Sequence, residues 1–409
     1  MKKYVIIGNG AAAVSCIEGI RSRDDTGEIT VISEEDRPVY CRPLISYYLE
    51  DKTDAGRMNY RAADFYEKNG CRVLYGHRAA AIDPAKKTVT AEDGRAFPYD
   101  ALCIASGASP AAPPLNGLDA VREKYFFTTL DDAEKLKAAV KRDTRVLILG
   151  AGLIGLKCAE GCRALTTDIT VCNRSKQILS RILDADAAGI VRRHMEKNGV
   201  RFLLGCTDMR FEGNRMTAES AAADFDVLVL ALGTAPNMAP FKAAGGETGR
   251  GILVNERLET SLPGVYAAGD CAEGLDASSG ERKIMALMPI ACMQGYTAGV
   301  NMAGGDRVYD DAFPINSFGF FGLHAMTAGT CGGDMYEERD GEKLKRLFMK
   351  DGRLCGFILV GYTARAGIYT SLIREKTPLD ALNFELLKKT ATTAAFPEAA
   401  RRKKFGGVV

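Results

Sequence analysis

Histidine is scarce in this 409-residue chain. Only His77, His194 and His324 occur, far apart and with no cysteine at ligand spacing, so no metal site is assigned. Twelve cysteines are present, but no two form a CxxC pair. Several, Cys103 and Cys172 among them, fall in stretches expected to be buried, and read as reduced core residues of a cytoplasmic protein. The charges nearly cancel, with 54 Lys and Arg against 52 Asp and Glu, which gives no global electrostatic case for nucleic acid or an anionic membrane. No apolar run reaches membrane-spanning length. Met1-Lys2-Lys3 leads straight into a strand that the fold needs, so the start is not read as a signal peptide. With 46% hydrophobic and 26% charged residues, the chain has an ordinary globular composition and room for two or three domains.

The most informative stretch runs from Tyr4 to Glu35. Tyr4 to Ile7 predicts a short buried strand, and Gly8-Asn9-Gly10-Ala11-Ala12-Ala13 is a GxGxxA turn. Gly8 permits the bend, Gly10 leaves space for a pyrophosphate, and Ala13 lets the next helix pack on the strand. That helix start offers N–H groups and a positive dipole end to phosphates. A second strand, Ile29 to Ile32, ends at Ser33-Glu34-Glu35, where an acid can hold an adenosine ribose. A tight turn with no ligand is the bland alternative.

Two prolines then bracket a loop, Arg37 to Tyr48, that carries Cys41, Arg42, Pro43 and Tyr47. Residues 58 to 70 read as a helix, and 78 to 102 as an antiparallel meander with turns at Asp83-Pro84 and Asp93-Gly94. The segment closes on Ala105-Ser106-Gly107-Ala108-Ser109-Pro110, and 111 to 114 reads as a linker.

The opening theme then repeats. Arg145 to Leu149 is a strand, Gly150-Ala151-Gly152-Leu153-Ile154-Gly155 is a full GxGxxG, and a helix and a further strand follow. Two such units in matching context point to two dinucleotides, held so that one can reduce the other. The second unit ends at Asn173-Arg174-Ser175-Lys176, without an acid. Arg174 and Lys176 could pair with a 2′-phosphate, which leans toward NADPH; as plain surface residues they would leave NADH equally possible. Further on, Leu232-Gly233-Thr234-Ala235-Pro236 echoes the segment at 105–110. Tyr266-Ala267-Ala268-Gly269-Asp270 ends a strand on an acid that could accept from a polyol such as ribityl, or could cap a helix. Residues 294 to 301 read as a helix of small residues suited to packing closely on the sheet. Arg401 to Lys404 read as a solvated basic tail or as a docking site for an acidic carrier.

GNGAAA, ASGASP, GAGLIG, ALGTAP and VYAAGD, in that order, resemble the two-dinucleotide-binding flavoprotein reductases of the glutathione reductase-like superfamily. INSFGFFGLHAMTAG and ARAGIYTSLIREKTPL resemble the branch with NADH:rubredoxin and ferredoxin reductases and the flavin module of nitrite reductases. The resemblance implies an α/β fold: an FAD domain (1–110 and 241–318), an NAD(P) domain (111–240) and a small α+β C-terminal domain (319–409). It implies FAD near Gly8, Gly10, Glu34, Arg42, Pro43 and Asp270, and a nicotinamide nucleotide over Gly150, Gly152 and Gly155. The flavin would exchange electrons with a carrier protein: rubredoxin, ferredoxin or an iron–sulfur subunit of a larger complex. The protein itself would stand as a homodimer or as one subunit of that complex.

Three departures from the family pattern stand out. The CxxxxC pair of the disulfide reductases is missing, so Cys41 is either a non-redox flavin neighbour or the single thiol of an NAD(P)H oxidase, peroxidase or coenzyme A disulfide reductase. Lys157 stands where many relatives have glutamate, as a cation that favours reduced flavin or as a solvent-facing helix residue. Tyr47 falls where relatives often place lysine. A flavin-bound assembly subunit without turnover is the third functional class.

Overall fold

The computed structural model describes residues 1–405. By its internal contacts the chain divides into two units. One comprises Met1–Pro114, Lys124–Arg142 and Val229–Ala312; the other comprises Leu115–Glu123, Asp143–Leu228 and the described chain from Phe313.

The first unit is built on a five-stranded parallel sheet, in the order Val265–Ala267, Ala101–Ile104, Lys3–Ile7, Glu28–Ile32, Cys71–Leu74. Its strands are continuous apolar runs because both faces are covered: Val5, Ile6, Leu102 and Cys103 are all essentially inaccessible. Two helices, Ala11–Arg21 and Met288–Met302, lie against each other. Small residues allow this. A methyl group on Gly295 would overlap the Ala12 carbonyl oxygen, and one on Gly299 that of Cys16. The small residues of 294–301 were expected to serve packing on the sheet; their closest approach is to the first helix instead.

The meander forms as three antiparallel strands, Ala79–Asp83, Thr88–Ala91 and Ala96–Pro98. The two echoing segments pair with each other, Ala108–Pro110 against Thr234–Pro236 in an antiparallel ribbon. The helix expected over 58–70 shrinks to Phe65–Lys68. Cys41 N–H donates to the Met58 carbonyl (2.7 Å), Tyr60 N–H donates to that of Val39 (3.0 Å), and Tyr40 bridges with Asn59. Pairing with the preceding loop thus overrides local helix preference.

In the second unit, Val146–Leu149, Ile169–Asn173 and Val200–Leu204 run parallel, with helices Leu153–Cys162 and Ala185–Lys197 between them in sequence. From Ile315 to Val360 a five-stranded antiparallel sheet follows. It shares a core of Leu347, Phe357, Leu359, Tyr369 and Leu372 with the helix Ala366–Arg374. The basic segment expected as a solvated tail is helical over Glu398–Phe405, with Arg402 paired to Glu398 (2.7 Å); Gly406 to Val409 lie outside the described residues. Among the described residues no helix is long and apolar enough to cross a membrane.

Candidate functional site

The two glycine turns have the same geometry. Gly8 has φ +105° and donates its N–H to the Ile32 carbonyl at 2.8 Å; Gly150 has φ +109° and donates to that of Cys172 at 2.8 Å. At Gly8 a side chain would also overlap the Ala105 carbonyl oxygen, so only glycine fits there. Gly10 and Gly152 stand at the helix starts, and no atom lies within 4 Å of where a Cβ would sit on either. Neither helix has a side-chain N-cap, so its first-turn N–H groups remain available to an anion. Ala13 and Gly155 are buried one turn on. Both turns thus fit a pyrophosphate, by open space at one glycine and uncapped donors at the helix start.

Beside Gly8 lies a cavity of about 370 Å³, lined among others by Glu34, His77, Arg78, Ser106 and Met238. Glu34 is exposed on its rim, 3.4 Å from the Arg78 guanidinium. Glu35 is engaged elsewhere: it accepts from the Tyr40 hydroxyl (2.7 Å) and from Arg42 (2.5 Å). Arg42 also donates to the Thr128 carbonyl (2.9 Å), and the Tyr40 oxygen accepts from Leu130 N–H (2.9 Å). Burial pushes the Tyr40 hydroxyl pKa up, against the pull of Arg42. Pro43 sits in the 3₁₀ turn Arg42–Leu44, just after Cys41, whose thiol pKa is raised by burial. Tyr47 follows on the short helix Ile45–Leu49, its ring 39% exposed and 5.7 Å from the Lys52 ammonium.

Asp270 closes the strand Val265–Ala267. No helix starts there, which removes the capping role allowed by the sequence. Its carboxylate is half-buried and accepts no hydrogen bond from the described protein. Burial raises its pKa and Arg42 partly offsets this. A partly desolvated carboxylate without protein donors suits the hydroxyls of a ribityl chain. Ala105 N–H donates to the Ile7 carbonyl (2.7 Å), while Ser106 and Gly107 are tied to the residue just past the ribbon: Ser106 Oγ donates to the Asn237 carbonyl (2.6 Å), and Asn237 donates to the Ser106 (3.0 Å) and Gly107 (3.0 Å) carbonyls. Gly233 lies in the same unit, its carbonyl accepting from Ala111 N–H at 2.9 Å. Tyr40 and Asn237 escaped the sequence analysis; the one signal for Asn237 was its place right after the echoing segment.

At the second turn, Asn173 is occupied by backbone. Its Oδ1 accepts from Ala151 N–H (3.2 Å), and its Nδ2 donates to the Ser175 (3.1 Å) and Gln177 (3.3 Å) carbonyls. It latches the loop, while Arg174 and Lys176 stand exposed with no ion-pair partner among the described residues. Lys157 is anchored on its own helix and does not simply face solvent. Its ammonium is 2.6 Å from Glu160 Oε2 and 5.4 Å above the Phe320 ring, on a side chain only 25% exposed. The buried Glu160, whose other oxygen accepts from Phe321 N–H (2.6 Å), holds it there.

Residues 2–295 match the model of a family described as pyridine nucleotide-disulphide oxidoreductase. The NADH-dependent phenylglyoxylate dehydrogenase subunit epsilon of Aromatoleum evansii is 33% identical over 396 residues, covering 93% of each chain. The assimilatory nitrate reductase electron transfer subunit of Bacillus subtilis is 28% identical over 390 residues, which is 92% of this chain but only 50% of that protein's length. A chain of the covalent putidaredoxin reductase–putidaredoxin complex superposes with a TM-score of 0.88 at 22% identity, covering 96% of this chain and 97% of that one, a likeness of fold. On this evidence the chain belongs to the pyridine nucleotide-disulphide oxidoreductase family, whose members use FAD and a nicotinamide nucleotide.

Proposed function

We propose that this FAD-dependent NAD(P)H oxidoreductase exchanges electrons with an iron–sulfur subunit of a larger redox complex. The observation that carries the reading is the pair of matching glycine turns together with the Asp270 carboxylate beside one of them, which accepts no hydrogen bond among the described residues. The near full-length likeness to a dehydrogenase subunit supports a complex over a stand-alone enzyme. Rubredoxin and ferredoxin are the other carriers of this class.

In this proposal Gly8, Gly10 and Ala13 cradle the FAD pyrophosphate, Glu34 takes the adenosine ribose, and Asp270 takes the ribityl chain. Arg42 and Pro43 shape the loop next to them, and Ala105, Ser106 and Gly107 form the floor. Gly150, Gly152 and Gly155 hold the nicotinamide nucleotide. Bound FAD supplies the chemistry of accepting a hydride and releasing electrons singly. No side chain is required as acid or base for hydride transfer. Arg174 and Lys176, both without an ion-pair partner among the described residues, favour NADPH over NADH. The raised Cys41 pKa keeps that thiol protonated at neutral pH and counts against the single-thiol alternative.

We also retain three functional domains, with the C-terminal sheet and its own core as the third. A cytoplasmic setting is supported by twelve unpaired cysteines, and a homodimer stands beside the heteromeric complex as the possible assembly.

The test is anaerobic mixing of the flavin-loaded protein with NADPH or NADH. Bleaching of the flavin band, followed by reoxidation with an added iron–sulfur protein, is the expected outcome. Flavin that stays oxidised with both nucleotides would leave a bound but non-reacting assembly subunit.

A further inference from the structure

Two side chains brace the turn that presents Asp270: Cys271 Sγ donates to the Ile104 (3.3 Å) and Ala268 (3.4 Å) carbonyls, and Gln294 takes the Gly269 N–H. Gln294, on the helix Met288–Met302, is 4% exposed, and its Oε1 accepts from the N–H of Gly269 at 2.8 Å. The buried N–H of Gly269 needs an acceptor, which fixes the amide with its oxygen toward the turn. Gly269 has φ +81°, and a methyl group there would press on Ala12, so this shape of the turn needs glycine. On its strand side the turn is tied by Ala268 N–H to the Ile104 carbonyl (3.0 Å), and it closes by Ala272 N–H to the Gly269 carbonyl (2.9 Å). Between those two ties the Gly269 N–H has Gln294 as its acceptor among the described residues. Next to Gln294, Gly295 lies against the Ala12 carbonyl, which belongs to the helix that starts at Gly10. The buried Gln294 amide therefore ties the turn before Asp270 to the helix that packs on the one starting at Gly10.

We infer that Gln294 is a positioning residue for flavin binding: it fixes the Gly269-Asp270 turn so that the Asp270 carboxylate meets the ribityl chain while Gly10 meets the pyrophosphate. This rests on the flavin reading above. It assigns to Gln294 no contact with the flavin; its effect passes through Asp270.

The test compares FAD dissociation constants of wild type, Gln294→Leu, Asp270→Ala and the double variant, by reconstitution of the flavin-free proteins. Gln294→Leu removes the acceptor and is expected to weaken FAD binding about tenfold. If Gln294 acts through Asp270, adding Gln294→Leu to Asp270→Ala weakens binding by less than twofold more; additive losses would mean a general packing role and overturn the inference. Gln294→Asn, one methylene shorter, guards against misfolding of the leucine variant. It is expected to fold and to lose FAD affinity in the same non-additive way, and unchanged affinity in both Gln294 variants also overturns the inference. Failure of the wild-type protein to take up FAD would instead sink the flavin reading itself.

Discussion

At the scale of single residues, the two turns separate folding from binding. Gly10 has an ordinary negative φ of −97° and open space where a Cβ would stand, so Gly10→Ala costs the fold little, within about 0.5 kcal/mol. The same methyl occupies the room left for the pyrophosphate. The expected result is an unchanged unfolding midpoint for the flavin-free protein and an FAD dissociation constant at least about tenfold higher, measured by reconstitution. Asp270 shows the converse. Its pKa is raised, mainly by burial, above the unfolded value of about 3.9. Its ionised form therefore penalises the folded, flavin-free protein. That penalty is absent below about pH 4, appears as pH rises past the unfolded value, and is complete above the folded value. Asp270→Asn is expected to raise the unfolding midpoint of the flavin-free protein at pH 7, to leave it unchanged below about pH 4, and yet to weaken FAD binding. Equal midpoints at both pH values would contradict it.

Elements of this chain were legible to the extent that backbone geometry alone dictates their residues. The Gly8 and Gly150 turns need glycine whatever surrounds them, and their spacing announced them. The parallel strands wrote themselves as apolar runs. What sequence could not give was partnership. One reading made Lys157 a solvent-facing helix residue because nothing in the sequence announces that Glu160, three residues on, is buried and holds it. The latch made by Asn173 stayed hidden because its three backbone bonds exist only once the loop is folded. Residues 58–60 looked helical because their partners, Val39 to Cys41, are reached only in three dimensions. Helix pairing gives a prediction at this scale. Gly295→Ala drives a methyl into the Ala12 carbonyl, and forced separation of the two helices is expected to cost about 1–3 kcal/mol. Thermal unfolding of the flavin-free protein should show this loss, and flavin retention should fall with it because the displaced helix is the one that starts at Gly10.

For the molecule as a whole, two nucleotide sites of one design must be told apart by what borders them. The first has the acid Glu34 at its rim; the second has Arg174 and Lys176 in the corresponding place, after a strand ending in Asn173. A carboxylate suits ribose hydroxyls, and a pair of cations suits a phosphate ester. Replacing both Arg174 and Lys176 with alanine is therefore expected to weaken NADPH by about 1.5–3 kcal/mol, a tenfold to hundredfold rise in its dissociation constant, with NADH changed little. Equal losses for both nucleotides would mean the cations do not read the 2′ position. Chain order adds a constraint of another kind. In the first sheet the strand Val265–Ala267 lies beside Ala101–Ile104, yet everything in the second unit from Asp143 to Leu228 separates them in sequence. The phosphate turn at Gly8 is therefore made before that long interruption, and Asp270 and Gln294 only after it. The proposed FAD site is thus closed by the last strand of a sheet that its first strand opens, so no partial chain that stops short of Asp270 holds all of it.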